Sequence, residues 1–325
     1  MAQRVLITGI TGQDGSYLAE LLCAEGADVH GTARGSLERE MPNLAAVHEQ
    51  LTLHQAELDV PGQLRDLVAT LAPDEIYHLA APAFVPDSWR EPSQTVRAIA
   101  GSGVELLEAV RDHAPNAHVV VASTREIFGG DAPSPQRETT RCSPSSPYGV
   151  AKLAVHQLVG LARQAEGIHA SSAILFNHES PRRPESFISR KVTRGVAAIT
   201  LGLAQEIVLG DLDAVRDWSA ASDIVRGMRA MASAAEPSDY VLASGVGHTV
   251  RELVEVACAA GGVDSASHVR TDERFVREAE DSDPIGDPAR AHARLDWSAR
   301  VSFEELIANM VRADVDELRG SATRQ

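Results

Sequence analysis

The chain has 325 residues, 44% hydrophobic but only 4% aromatic, and a formal net charge of -16. That length buries a full core and suits one large α/β unit with a smaller lobe, packed mainly by Ala, Val and Leu. The acidic balance excludes a basic footprint for nucleic acid or an anionic membrane, so an anionic ligand has to meet locally clustered Arg and Lys. Cys23, Cys142 and Cys258 are odd in number and lack metal spacing, which predicts a reduced, cytoplasmic protein without a metal site. No apolar run reaches membrane-spanning length, and no signal peptide precedes the first strand.

Residues 4–8 read as a short buried strand, followed by Gly9-Ile10-Thr11-Gly12-Gln13-Asp14-Gly15 and an amphipathic helix to about residue 25. Glycines at 9, 12 and 15 let the backbone turn tightly and approach a pyrophosphate at the helix N-terminus. A glycine pattern alone is weak, but strand before and helix after make a dinucleotide loop of it. Residues 27–32 form a second strand. An NAD enzyme usually carries an acid at its end; here Arg34 stands there instead, which suits the 2′-phosphate of NADP, with NAD the alternative.

Residues 51–54 read as a third strand leading to Glu57-Leu58-Asp59, where an acid either contacts adenine or caps the helix expected over 61–71. Residues 75–79 form a fourth strand, and Leu79 is followed by Ala80 and Ala81, small enough to pack closely against a cofactor. One long helix is expected over 93–111, with Gly101 and Gly103 at a close helix contact. This alternation predicts a Rossmann, doubly wound parallel sheet.

The stretch 119–152 organises the site. Its Val-rich run is a buried strand that delivers Ser123, Thr124 and Glu126 at the C-terminal edge of the sheet, where open α/β sheets bind ligands. A helix then carries Tyr148 and Lys152 four residues apart on one face. An ammonium about 4 Å from a phenolate stabilises it by roughly 4 kcal/mol at an effective dielectric near 20. Tyr148 can then take a proton from a substrate hydroxyl as hydride leaves the same carbon.

The nucleotide loop with Thr124 and Tyr148-x-x-x-Lys152 resembles the extended short-chain dehydrogenases/reductases. The resemblance implies that Thr124 orients the substrate hydroxyl, Tyr148 is the base, and Lys152 lowers its pKa and holds the nicotinamide ribose. A closer resemblance lies in residues 9–18 (GITGQDGSYL), 177–183 (NHESPRR) and 212–218 (LDAVRDW), and extends to 286–291 and Leu295-Asp296-Trp297. These are similar to the GDP-mannose 4,6-dehydratase family over nearly the whole length. That family oxidises a hexose at C4 with NADP, eliminates water across C5 and C6, and returns the hydride to C6. Elimination needs one carboxyl group near the ring, and Glu126 matches the family's Thr-x-Glu; the competing reading is that Glu126 simply pairs with Arg125. By resemblance, His178 and Arg183 touch the nicotinamide or phosphates, while Asn177, Lys191, Arg216, Arg277 and Glu280 hold the sugar nucleotide, with Ser123 beside it.

The chain also departs from that pattern. Arg125 stands where a small residue is usual, Pro82-Ala83 replaces Gln-Ser, Ser145 replaces an Arg, Gln94 a Tyr, and Gly35 the second Arg of a pair. A reshaped pocket leaves a nucleotide-sugar epimerase, or a dehydratase of another hexose, as the rival outcome; a non-catalytic nucleotide-sugar binder is the rival of another class. The expected organisation is an NADP-binding unit over 1–175 and a smaller α/β substrate-binding lobe over 176–325, with segments near 212–235 returning to the first. Residues 239–244 are expected as a strand of the second lobe, 249–260 as a helix capped by Thr249, and the acidic tail after Arg312 as a solvated helix end. A homodimer or homotetramer is expected.

Overall fold

The computed structural model describes residues 2–272, 274 and 283–322. Its strands are β1 (Arg4–Thr8), β2 (Asp28–Ala33), β3 (Leu51–Gln55), β4 (Glu75–His78), β5 (His118–Thr124), β6 (Ala170–Leu175), β7 (Asn177–Glu179), β8 (Ile207–Leu209), β9 (Val215–Ala220), β10 (Tyr240–Leu242), β11 (Gly247–Thr249) and β12 (Val269–Thr271). The helices are α1 (Gln13–Ala24), α2 (Gln63–Leu71), α3 (Val85–Arg90), α4 (Pro92–Val96), α5 (Ser102–His113), α6 (Pro147–Ala165), α7 (Ile188–Thr200), α8 (Ala221–Ser233), α9 (Val250–Gly261), α10 (Ser265–His268), α11 (Ala289–Leu295) and α12 (Phe303–Ala322).

Seven parallel strands form the main sheet in the order β10-β6-β5-β4-β1-β2-β3. Successive residues of each central strand serve opposite faces. Val5 and Ile7 join α1 and α8 in one core, whereas Leu6 joins α2, α5 and α6 in the other. Both faces are thus apolar, as the unbroken Val/Ile/Leu runs require. The order reverses between β1 and β4, which opens the crevice at their C-terminal ends where a nucleotide sits in such sheets.

A second core gathers α7, α9 and α12 with β8 and β9. Beside it lie a three-stranded sheet, β11-β9-β7, and the β12-β8 pair. Thr249 caps α9 in a full capping box with Glu252, the arrangement the Thr-x-x-Glu spacing dictates. Among the described residues, no helix is long and apolar enough to cross a membrane.

Four expectations are corrected. The helix expected over 93–111 is broken: a π-helical turn over Arg97–Gly101 separates α4 from α5. Only Gly103 of its two glycines is at a close contact, since a Cβ there would lie 2.7 Å from Val155, while nothing approaches Gly101. The strand expected in the second lobe is β10, and it instead extends the main sheet beside β6. The tail after Arg312 is not wholly solvated, because Asp314 is fully buried. Its Oδ1 accepts a 2.7 Å hydrogen bond from Arg190 Nε, and that pairing makes the buried charge tolerable.

Candidate active site

The loop after β1 admits only glycine at two points. Gly9 has φ +72 and a Cβ there would lie 2.9 Å from Ala80 Cα; a Cβ at Gly15 would lie 2.4 Å from Gly9 O. Ala80 therefore packs directly on the loop. Gly12, the N-cap of α1, offers no side-chain cap, which leaves first-turn N–H groups for an anion. The loop fits a dinucleotide pyrophosphate on that ground.

Beneath it runs a polar chain that sequence reasoning missed. Thr8 Oγ1 accepts hydrogen bonds from the N–H groups of Leu79 and Ala80, both at 3.1 Å, and lies 3.0 Å from His78 Nδ1. His78 Nε2 lies 3.3 Å from Ser102 Oγ, which donates to Ala98 O at 2.6 Å. Burial, reinforced by the Lys152 charge, pushes His78 down to about 3. A neutral ring satisfies the chain: the Thr8 hydroxyl donates to Nδ1, and Nε2–H donates to Ser102. The signal available was a polar residue ending an apolar strand, the same signal that exposes Ser123 and Thr124. At the adjoining edge, Arg34 is exposed just beyond β2. Glu57 Oε1 accepts from Gly35 N at 2.8 Å, so Glu57 shapes that turn, with Leu58 half-buried beside it.

The end of β5 carries the second group. Ser123 is buried and its Oγ has no hydrogen-bond partner among the described residues. Thr124 Oγ1 accepts from Glu126 N at 3.3 Å, capping the 3₁₀ turn Arg125–Ile127. Ser146 caps α6 by accepting from Gly149 N at 3.0 Å. A Cβ at Gly149 would lie 2.7 Å from Glu126 O, so a glycine there lets the start of α6 reach the turn. Tyr148 and Lys152 are both buried on α6.

Lys152 Nζ donates to Ala122 O at 2.7 Å and lies 6.0 Å from the Tyr148 ring centroid. Burial, then the negative charge of Glu126, pushes Tyr148 up to about 12, against the pull of a Thr124 hydrogen bond and the Arg183 charge. Burial brings Lys152 down to about 8, with Asp14 opposing. Glu126 does make the pair that competed with its functional reading: Arg125 Nε and NH2 meet its Oε1 at 3.0 and 2.8 Å.

The segment 177–183 closes over the glycine loop. Gln13 Nε2 donates to His178 O at 3.0 Å, and Ser180 Oγ donates to Gln13 Oε1 at 2.7 Å. His178 Nε2 lies 2.9 Å from Asp14 Oδ2 and Nδ1 lies 2.7 Å from Phe176 O. Two acceptors on two ring nitrogens call for the imidazolium. Burial opposes that charge on His178, but the Asp14 carboxylate outweighs it and raises the pKa. Burial likewise opposes the charge on Asp14, and His178 prevails, holding it below the ordinary value. The Arg183 guanidinium stacks 3.6 Å over the Phe187 ring and lies 3.2 Å from Glu179.

The remaining candidates are more dispersed. Asn177 pairs with Trp218 in the β7-β9 ladder. Lys191 is exposed and its Nζ donates to Val208 O at 2.7 Å, while Arg216 NH1 donates to Val215 O at 2.6 Å. Arg182 and Arg190 meet Glu20 and Asp314 respectively. Arg277 and Glu280 lie outside the described residues.

The family model described as GDP-mannose 4,6 dehydratase matches residues 6–310. A GDP-mannose 4,6-dehydratase of Sinorhizobium fredii is 40% identical over 346 residues, covering 98% of each chain. GDP-mannose 4,6 dehydratase 2 of Arabidopsis thaliana is also 40% identical, over 96% of this chain and 86% of its own. Among solved structures, a putative epimerase from Burkholderia cenocepacia superposes with a TM-score of 0.85 at 27% identity, covering 97% of this chain and 98% of its own. RMD from Pseudomonas aeruginosa complexed with NADPH superposes at 0.81 and 25% identity, covering 98% and 99%.

Proposed function

The chain belongs to the GDP-mannose 4,6-dehydratase family, and from that premise we propose that it converts GDP-mannose to GDP-4-keto-6-deoxymannose with NADP as the resident cofactor. The observation that carries this reading is a carboxylate, Glu126, on the same turn as Thr124 and next to the start of the Tyr148 helix. Alcohol oxidation needs only Thr124, Tyr148 and Lys152; loss of water needs a further group that removes the C5 proton.

The loop over Gly9–Gly15, Arg34 and residues 79–81 would hold the dinucleotide. Bound there, the nicotinamide supplies hydride uptake from C4 and its return at C6. Thr124 orients the C4 hydroxyl and Tyr148 takes its proton. The phenol is a poor base in the unliganded site, so the reaction depends on positive charge brought close to it. Lys152, anchored to Ala122 O, would hold the ribose. Glu126 takes the C5 proton and passes it to the departing C6 hydroxyl. Asn177, Lys191, Arg216, Arg277 and Glu280 are the proposed sugar-nucleotide contacts. We place the main lobe at 1–175 and the substrate lobe at 176–325, with α8 and β10 returning to the first, in a cytoplasmic homodimer or homotetramer.

The test is incubation with GDP-mannose and NADP, reading product mass. Loss of one water, abolished in Glu126→Gln, is the expected result. A product of unchanged mass would mean epimerisation, and no turnover of any hexose nucleotide would mean a binder.

A further inference from the structure

Arg125 introduces a charge where the resemblance calls for a small side chain, and it does so next to the elimination group. Its side chain is only 8% exposed, against 23% for Glu126. A guanidinium so placed is costly to bury unless held in hydrogen bonds, and it cannot swing into water as a surface arginine does. Both Nε and NH2 fall on the same oxygen, Oε1, at 3.0 and 2.8 Å. Oε2 receives no hydrogen bond from the described residues. The backbone beneath is equally fixed, by Thr124 Oγ1 accepting from Glu126 N and by α6 pressing against Glu126 O.

We propose that Arg125 is a positioning residue for the elimination: it fixes Glu126 through Oε1 and leaves Oε2 as the oxygen that exchanges the proton. The proposal rests on the dehydratase reading and on Glu126 as its elimination group. In the step itself, Oε2 takes the C5 proton and the C5–H electron pair becomes the enolate of the C4 ketone. As the ketone re-forms, the pair becomes the C5–C6 double bond, the C6–O bond breaks, and the hydroxyl leaves with the proton from Oε2 as water. Glu126 returns to the carboxylate. It is neutral for part of the cycle, when a free side chain would reorient; the grip on Oε1 keeps Oε2 in reach of both C5 and the C6 oxygen.

Removing the grip should slow elimination and spare the preceding oxidation. The NADP-loaded enzyme is compared as wild type, Arg125→Ser and Arg125→Lys. For Arg125→Ser, kcat should fall about ten- to a hundredfold, the cost of a loosened reacting group, with KM within about twofold. The absorbance of reduced nicotinamide should accumulate during turnover, because C4 oxidation then outpaces water loss. Arg125→Lys keeps the charge without the two-nitrogen grip and should fall between. Wild-type kcat in Arg125→Ser, or a reduced kcat without accumulation in both variants, overturns the proposal. Glu126→Gln separates the two levels of the argument. If it still dehydrates the sugar, the assignment of Glu126 falls and this proposal with it. If it is inactive while Arg125→Ser runs as wild type, this proposal alone falls.

Discussion

Lys152 shows how function and stability oppose each other in a single side chain. Burial lowers it from 10.5 to about 8, so the folded state binds this proton less tightly than the unfolded chain does. Stability therefore rises as pH climbs from about 8 to 10.5, and below 8 the full cost of burying the ammonium is carried, about 3 kcal/mol at 1.36 per unit. Lys152→Met should remove that cost and lose the hydrogen bond to Ala122 O, worth about 1 kcal/mol. The cofactor-free variant is expected to melt higher than wild type at pH 7 and slightly lower above pH 10.5, where only the lost hydrogen bond remains, while turnover is abolished. A lower melting point at pH 7 would show that the lysine stabilises the fold. Tyr148→Phe, which removes only the hydroxyl, should cut kcat about a hundredfold to ten-thousandfold while NADP binding, measured by fluorescence titration, stays within about threefold. Tyr148 and Lys152 were legible because helical spacing is local. That Lys152 bonds a strand carbonyl was not, because Ala122 lies 30 residues away.

The helix that carries both residues is placed by its neighbour α5, and two glycines two residues apart report on that packing in opposite ways. A Cβ at Gly103 would meet the Val155 methyl carbons at 2.7 and 2.8 Å, and a β-branched side chain in a helix has one strongly preferred rotamer and cannot step aside. Gly103→Ala should cost about 1–3 kcal/mol as α5 is forced off α6, and should lower kcat because Tyr148 moves with the helix. At Gly101 nothing lies within 4 Å and the backbone is already helical, so Gly101→Ala should be neutral or stabilise by up to about 1 kcal/mol. Urea unfolding of the two variants decides this; equal effects would contradict the packing described. Sequence indicated a close contact but not which glycine made it, since the π-helical turn at 97–101 shifts the facing side between them. β10 escaped for a related reason. Its three residues are all buried, so no alternation marks a face, and its partner β6 is fixed only once α8 packs across the sheet.

At the scale of the whole chain, residues 177–183 close against the glycine loop, and the contact between them includes an ion pair, His178 with Asp14, beside neutral hydrogen bonds. His178 holds its proton more tightly folded than unfolded, so its share of stability is full below 6.5 and is lost as pH rises through its raised folded value. Asp14 is held below 3.8, so its share is full above 3.8 and is lost as pH falls through its lowered folded value. Both charges are in place with full effect between these limits, about pH 4 to 6.5. His178→Gln should therefore destabilise the protein most near pH 5 to 6, and the gap in melting temperature from wild type should narrow toward pH 9. Asp14→Asn should narrow in the same direction, because it also removes the partner that raises His178. Melting curves of the three proteins across that range measure this directly. A gap independent of pH would mean that the two residues meet as neutral groups, and that the hydrogen bonds of Gln13 and Ser180 and the pairing of Arg182 hold the segment in place.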